Sequence, residues 1–278
     1  MRQLLWLAGL LLLTLPATAQ NARPMVGETS TYVTRQGDDL VSIARAHRLA
    51  IEHLAFANGF PDTATEVAPG IELTIPGKRV LPANPPRDGL VLNLPERMLY
   101  LFRNGRFDRY FPVSIGEPGR FHTRGGQFHI IEKAVSPTWY PPSWAKEKAP
   151  VGPGPNNPLG DRWIGLSSPR VGLHGTNDPL NIGNDVTHGC IRLYPELVRE
   201  LYEHVWVGMP IRIEYEVAKI GRGDDGKLYI ANFPDVYQRA ESLKAARNLL
   251  RRAGLDHLLE QGNLESKLYI MLGIPLAL

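Results

Sequence analysis

The 278-residue chain holds a single cysteine, Cys190. It stands in Thr187-His188-Gly189-Cys190-Ile191-Arg192, and a second histidine lies sixteen residues upstream in His174-Gly175-Thr176. A thiol is a strong nucleophile only as thiolate, and a neighbouring imidazole can take its proton. Gly189 puts no side chain beside the sulfur, so a carbonyl substrate can approach the backbone there. The N–H groups of Gly189 and Cys190, next to a nucleophile, are the raw material of an oxyanion hole. The pattern points to acyl transfer through cysteine. His188 and Cys190 share a face if the segment is extended, with Cα atoms about 6.6 Å apart. His174 arrives from another strand end, so spacing alone leaves both histidines open as the base. Two alternatives stand beside this one. A lone cysteine is often a small buried hydrophobe. A metal could be held by His174, His188, Cys190 and Asp178 or Asp185, although that spacing does not match the recurring zinc patterns.

The elements that must position these residues read mostly as strands. Gly89 to Leu94 and Arg97 to Phe102 flank a Pro95-Glu96 turn, and Asn104-Gly105 is a hairpin signal before Tyr110 to Ile115. Gln127 to Lys133, Trp163 to Leu166 and Val171 to Leu173 follow, the last leading into His174. Pro195 to Tyr202 has helical spacing with proline in its first turn, and Val207 to Glu214 returns as a strand. The nucleophile therefore sits at a sheet end beside a helix start, where the helix dipole favours thiolate modestly. Short strands at this spacing predict a mainly β, β-sandwich-like body.

The stretch from His174 to Arg192 resembles the signature of the L,D-transpeptidases of the YkuD type. In that family a His-Gly is followed, after a loop, by Ser/Thr-His-Gly-Cys and often Ile-Arg. Thr187 stands here where serine is commoner and keeps the hydroxyl. Ser114-Ile115-Gly116, Pro137 to Pro142 and Gly154 to Gly160 also match, whereas Thr123-Arg124-Gly125-Gly126 departs from the usual turn. The resemblance implies a catalytic domain over 88–215 and a peptidoglycan tetrapeptide stem as substrate. It implies Cys190 as nucleophile and favours His174 as base, with no cofactor or metal. Gly189, His188 and Thr187 would then form or orient the oxyanion site. Arg192, with paired donors suited to a carboxylate, Gly175 and Thr176 would meet substrate. The acceptor is left open: a diaminopimelate amine, a lipoprotein lysine, or water, the last giving a carboxypeptidase or a hydrolase of a protein–wall linkage. A non-catalytic wall-binding protein is a further reading, which the complete motif opposes.

The remaining segments place this chemistry in a compartment. Met1-Arg2, an apolar run from Leu4 to Leu15 and the small-residue site Ala17-Thr18-Ala19 read as a signal peptide over 1–19. The mature protein is expected in the periplasm, wall-associated and not membrane-spanning. One cysteine cannot form an intrachain disulfide there. Residues 31–76 read as strand, helix, helix, strand and resemble a LysM domain, through Tyr32, Gly37-Asp38, Leu40, Ile43, Leu54, Asn58, Pro69-Gly70 and Leu73. That resemblance implies binding to glycan strands, through the loops after Gly37 and around Asn58 and Pro69. Residues 77–87, with Pro82, Pro85 and Pro86, read as a semi-stiff linker. Residues 216–278 form an α/β extension, with a strand over 227–230 and a helix from Pro234 to Gly254. A formal charge of +3 is too small a bias to argue for nucleic acid.

Overall fold

A computed structural model describes residues 22–61, 65–145, 148–260, 264–269 and 273–278. The expected signal peptide lies outside these residues. Among them, no helix is long and apolar enough to cross a membrane.

The chain opens with β1 (Arg23–Val26), β2 (Thr29–Val33), α1 (Leu40–Ala46), α2 (Ile51–Ala57), β3 (Glu72–Pro76) and β4 (Arg79–Val80). Strands β2 and β3 pair antiparallel over a small core of Leu40, Ile43, Leu49, Leu54, Leu73 and Ile75. Asp39 caps α1 by accepting the Ser42 N–H at 2.6 Å. Asn58 spends its amide inside this unit, donating to the Leu54 and Thr74 carbonyls and accepting from the Thr74 N–H. It is a scaffold residue rather than a free polar contact.

The central body is built from β5 (Gly89–Asn93), β6 (Met98–Arg103), β7 (Arg106–Gly116), β8 (Gly126–Val135), β9 (Arg162–Leu166), β10 (Gly172–His174), β11 (Asp185–Thr187), β12 (Ile191–Leu193), α3 (Pro195–His204) and β13 (Pro210–Glu214). The strands run β11-β7-β12-β10-β9-β8-β13-β5-β6, and a further β6–β7 pairing closes the sheet into a ring. The fold is mainly β, as expected, but the sheet closes on itself rather than splitting into two. The length of β7 makes this possible: its first half pairs with β6 and its second half with β12 and β11. Leu197, Val198 and Leu201 of α3 pack into the ring's core with Leu90, Leu92, Leu99, Leu101, Leu173 and Ile191.

Strands β5 and β6 read as unbroken apolar runs because both faces are buried. Val91, Met98, Tyr100 and Phe102 face outward against Leu81 and Val26. The covering layer is a second sheet. It joins β14 (Ala218–Arg222), β15 (Leu228–Asn232) and β16 (Leu276–Ala277) to β1 and β4, in the order β16-β15-β14-β1-β4. The segment after β3 is thus no exposed spacer at its start: Arg79, Val80 and Leu81 are buried and the first two pair with β1. The layers are joined by Lys219, wholly buried, which pairs with Glu96 and donates to the Val80 carbonyl at 3.2 Å. Tyr100 donates to the same Glu96 carboxylate.

The extension also carries α4 (Ser242–Arg252) and α5 (Leu264–Leu268). The helix expected from Pro234 begins eight residues late. The Asp235 carboxylate accepts from the N–H groups of Arg239 and Ala240, and Gln238 takes φ 52°, which makes 235–240 a braced turn. The N-terminal βααβ unit docks on the body through Tyr194, whose hydroxyl donates to the Leu49 carbonyl at 3.1 Å. The Arg45–Glu196 and Arg48–Glu200 ion pairs flank that contact at 2.7 and 2.6 Å.

Candidate active site

Two short parallel strands set the site. In β10 and β12, Leu173 pairs with Ile191 and His174 with Arg192. Side chains alternate along a strand. Leu173, Ile191 and Leu193 therefore enter the core, while His174, Cys190 and Arg192 share the opposite face. His174 and Cys190 are diagonal neighbours. One strand spacing and one two-residue step separate their Cα atoms by about 8 Å, within reach of an imidazole and a thiol.

His174 is buried, and its Nδ1 lies 2.6 Å from the Gly175 carbonyl. A carbonyl only accepts, so Nδ1 carries the hydrogen and Nε2 keeps its lone pair. Burial, helped by the Arg192 charge, holds the ring's pKa at about 3, so the imidazole is neutral at working pH. The Cys190 thiol stays partly accessible and donates to the Arg170 carbonyl at 3.6 Å. Desolvation raises its pKa; the Gly172 N–H and Arg192 oppose that rise. The resting pair is a neutral thiol beside a neutral imidazole.

Trp163 covers the imidazole. It lies opposite His174 on β9 and stacks on it, with centroids 5.8 Å apart and planes 27° apart. Its indole reaches across Gly172, where a Cβ would sit 2.6 Å from the ring, and its N–H donates to Glu132 at 2.7 Å. Glycine at 172 is what lets the indole lie across the strand beside His174.

The loop into Cys190 is braced from within. Gly189 has φ +105°, a conformation that L side chains rarely adopt. Its N–H, expected as an oxyanion donor, donates instead to Thr187 Oγ1 at 3.2 Å. The same hydroxyl donates to the Cys190 carbonyl at 2.6 Å. Thr187 thus orients the loop, and the Cys190 N–H is the donor that remains for an oxyanion. His188 stacks flat on Trp144, 3.7 Å between centroids and 3° between planes, with Phe121 at its edge. Trp144 follows β8, and the buried Asn157 donates to the Pro137 and Gly152 carbonyls on either side of it.

Gly175 and Thr176, expected at the substrate, are buried. The Gly175 carbonyl orients His174, and Thr176 Oγ1 accepts the Asp178 N–H at 2.9 Å. Gly175 packs closely on Gly160, whose Cα lies 3.4 Å from where a Gly175 Cβ would stand. The alternative metal ligands are not brought together. Asp185 pairs with Arg97, Asp178 accepts from Asn181, and His188 is in its ring stack.

Comparison with known proteins identifies the family. The family model described as YkuD, L,D-transpeptidase catalytic domain, matches residues 87–213. The probable L,D-transpeptidase ErfK/SrfK of Escherichia coli (strain K12) is 30% identical over 232 residues, 79% of this chain and 74% of that protein. The chain belongs to the L,D-transpeptidase family. The probable L,D-transpeptidase YbiS of the same strain is 30% identical over 231 residues, 78% of this chain and 74% of that one. The putative L,D-transpeptidase YkuD of Bacillus subtilis (strain 168) is 31% identical over 186 residues, 66% of this chain and 98% of that protein. The family's enzymes are cysteine-dependent peptidoglycan transpeptidases, and this L,D-transpeptidase presents its only cysteine on the face just described.

Trp163, Gly172, Phe121, Thr123 and Trp144 escaped the sequence reading as site residues. All but Gly172 come from parts of the chain well before the motif. The one local signal was Gly172 directly before Leu173-His174, where a glycine inside a short strand marks a close approach.

Proposed function

We propose that this enzyme takes a peptidoglycan tetrapeptide stem as acyl donor and passes the acyl group from Cys190 to an amine. The shared face of β10 and β12, which holds Cys190, His174 and Arg192, carries this reading. Sγ–H gives its proton to His174 Nε2 as sulfur attacks the carbonyl carbon between diaminopimelate and the terminal D-alanine. Because the resting pair is neutral, transfer and attack are coupled. The Cys190 N–H receives the oxyanion. On collapse the C–N bond breaks, and the departing D-alanine amine takes the proton from His174. An acceptor amine then gives a proton to the same Nε2, attacks the thioester and frees the thiol.

Arg192 binds a stem carboxylate in this scheme. In support, its Nε is buried without a hydrogen-bond partner among the described residues. The acceptor amine belongs to a second stem, giving a 3-3 cross-link, or to a wall-attached lipoprotein. Residues 31–76 act as a LysM glycan-binding domain. In support, the Leu40–Thr65 and Thr34–Gly70 backbone bonds hold the loop after Gly37 beside that around Pro69. The signal-like leader, with Ala17-Thr18-Ala19 after its apolar run, supports a periplasmic location.

The test is to incubate the protein from residue 20 onward with purified muropeptides and identify products by mass. Cross-linked dimers are the expected product, and lipoprotein adducts are expected when such an acceptor is supplied. Trimmed stems alone would make water the acceptor, and no product at all would overturn the proposal.

A further inference from the structure

We propose that Tyr237, in the C-terminal extension, is a positioning residue that aims the Cys190 N–H at the oxyanion by acting through Thr123. The inference rests on the acyl-transfer reading above. It concerns a residue beyond the matched segment 87–213.

The argument follows a chain of hydrogen bonds in which every hydroxyl accepts once and donates once. Tyr237 Oη accepts the Thr123 N–H at 3.1 Å and donates to the Gly116 carbonyl at 2.7 Å. It therefore staples the two ends of the loop 116–123. Those ends are in close contact: a Cβ on Gly116 would lie 2.7 Å from the Thr123 nitrogen and 2.1 Å from the Phe121 carbonyl oxygen. Inside the staple, Thr123 Oγ1 accepts the Gly116 N–H at 2.8 Å and donates to the Gly189 carbonyl at 3.1 Å. Thr123 is wholly buried, so water does not replace these partners.

Peptide planarity turns this contact into an aim. The Gly189 C=O and the Cys190 N–H belong to one trans peptide unit and point in opposite directions. Fixing the carbonyl on Thr123 directs the N–H to the other side. Thr187 pins the flanking groups, the Gly189 N–H and the Cys190 carbonyl. The orientation of the middle peptide is thus set from both sides, one internal to the motif and one supplied by the extension.

Tyr237 is itself held rigidly. Its N–H donates to Tyr215 Oη at 2.7 Å, Tyr215 donates to Asp235, and the same carboxylate caps the turn 235–240. Its ring lies against Tyr215 at 5.8 Å and meets His122 edge-on at 5.6 Å. Burial raises the phenol's pKa, so the hydroxyl remains a donor across the working range. Removing the hydroxyl alone leaves the ring contacts in place.

The test compares Tyr237→Phe with wild type in the mature full-length enzyme, using a stem tetrapeptide donor and, separately, iodoacetamide. Acylation needs the oxyanion donor, whereas alkylation of the thiol does not. Loss of a whole oxyanion donor costs about 100- to 1,000-fold in kcat, so a loosened donor should cost about 10-fold or more. KM and the alkylation rate should stay within about twofold of wild type. Thr123→Val should show the same pattern, Thr123→Ser should recover most of the loss, and the double variant should be no worse than Thr123→Val alone. Wild-type acylation in Tyr237→Phe overturns the proposal, as does an equal fall in alkylation or an additive double variant. If Tyr237→Phe does not fold, the Thr123→Val and Thr123→Ser pair decides the question by the same two rates. Failure of the wild-type enzyme itself to acylate would instead count against the acyl-transfer reading.

Discussion

Replacing Gly172 by alanine tests the geometry around the base. The new Cβ would lie 2.6 and 2.7 Å from Trp163 Cη2 and Cζ2 and 2.8 Å from the Ile164 carbonyl oxygen. Favourable carbon contacts begin at about 3.5 Å, so the indole must move by about 1 Å. That motion pulls it from the His174 ring and strains its bond to Glu132. Overpacking of this kind costs about 1–3 kcal/mol, or about 2–12 °C of Tm for a chain of this length. The functional consequence is larger and depends on pH. His174 is held at about 3 chiefly because burial penalises its charged form. Water admitted beside the ring moves that pKa up towards the ordinary 6.5. At pH 5 an imidazole of pKa 3 is about 99% neutral, and one of pKa 6.5 about 3% neutral. Base function therefore falls by up to about 30-fold at pH 5 and hardly at all at pH 8. The assay is kcat/KM against pH, which reports the free enzyme. Wild type should show no acid limb from this group above pH 5, and the variant should gain one. A variant with wild-type Tm and a parallel pH profile would refute the reasoning.

Three further outcomes are expected. Lys219→Met leaves the Glu96 carboxylate buried without its cation and should cost about 3–5 kcal/mol by denaturant titration; an unchanged midpoint would show that the Glu96–Lys219 pair does not join the layers. Deleting residues 20–77 removes β1 from between β14 and β4 and uncovers Tyr194, so the truncated protein should melt lower and lose turnover even on soluble muropeptides. Full turnover after deletion would show that the ring of strands stands alone. Alkylation of Cys190 should accelerate only above the ordinary thiol range, because the folded thiol's pKa is raised; an inflection below pH 7 would mean a preformed thiolate–imidazolium pair.

Much of the site was legible because it is local. The Thr187–Arg192 run names the nucleophile and its neighbours, but the period-two reading that joins His188 to Cys190 assumes an extended segment, whereas Gly189 between them takes φ +105° and His188 stacks on Trp144. What brings His174 to the face of Cys190 is the parallel pairing of β10 with β12, sixteen residues away in sequence, and no local signal sets that pairing. The expected Gly189 donor failed for a similarly local reason. The Thr187 hydroxyl two residues earlier captures its N–H, a competition that a count of backbone donors does not reveal. The mainly β body could be read from short strands and the Asn104-Gly105 turn. Ring closure could not, since it depends on two halves of β7 having different partners. The segment after β3 looked like a spacer because of its prolines, which begin only at Pro82. The buried residues Arg79 to Leu81 precede them, and their partner β1 lies more than fifty residues back. The helix expected from Pro234 waits until Ser242, because the Asp235 carboxylate closes a turn on the Arg239 and Ala240 N–H groups first.

The central claim is that Cys190 carries the acyl group. Intact-protein mass measurement after brief mixing with a stem tetrapeptide tests it directly. The account predicts an adduct equal to the donor less its terminal D-alanine. That adduct should map to Cys190, be discharged by an added amine and be absent from Cys190→Ala, with a carbapenem giving a longer-lived adduct at the same residue. Turnover of the stem by Cys190→Ala, or an adduct on any other residue of the wild-type enzyme, would contradict it.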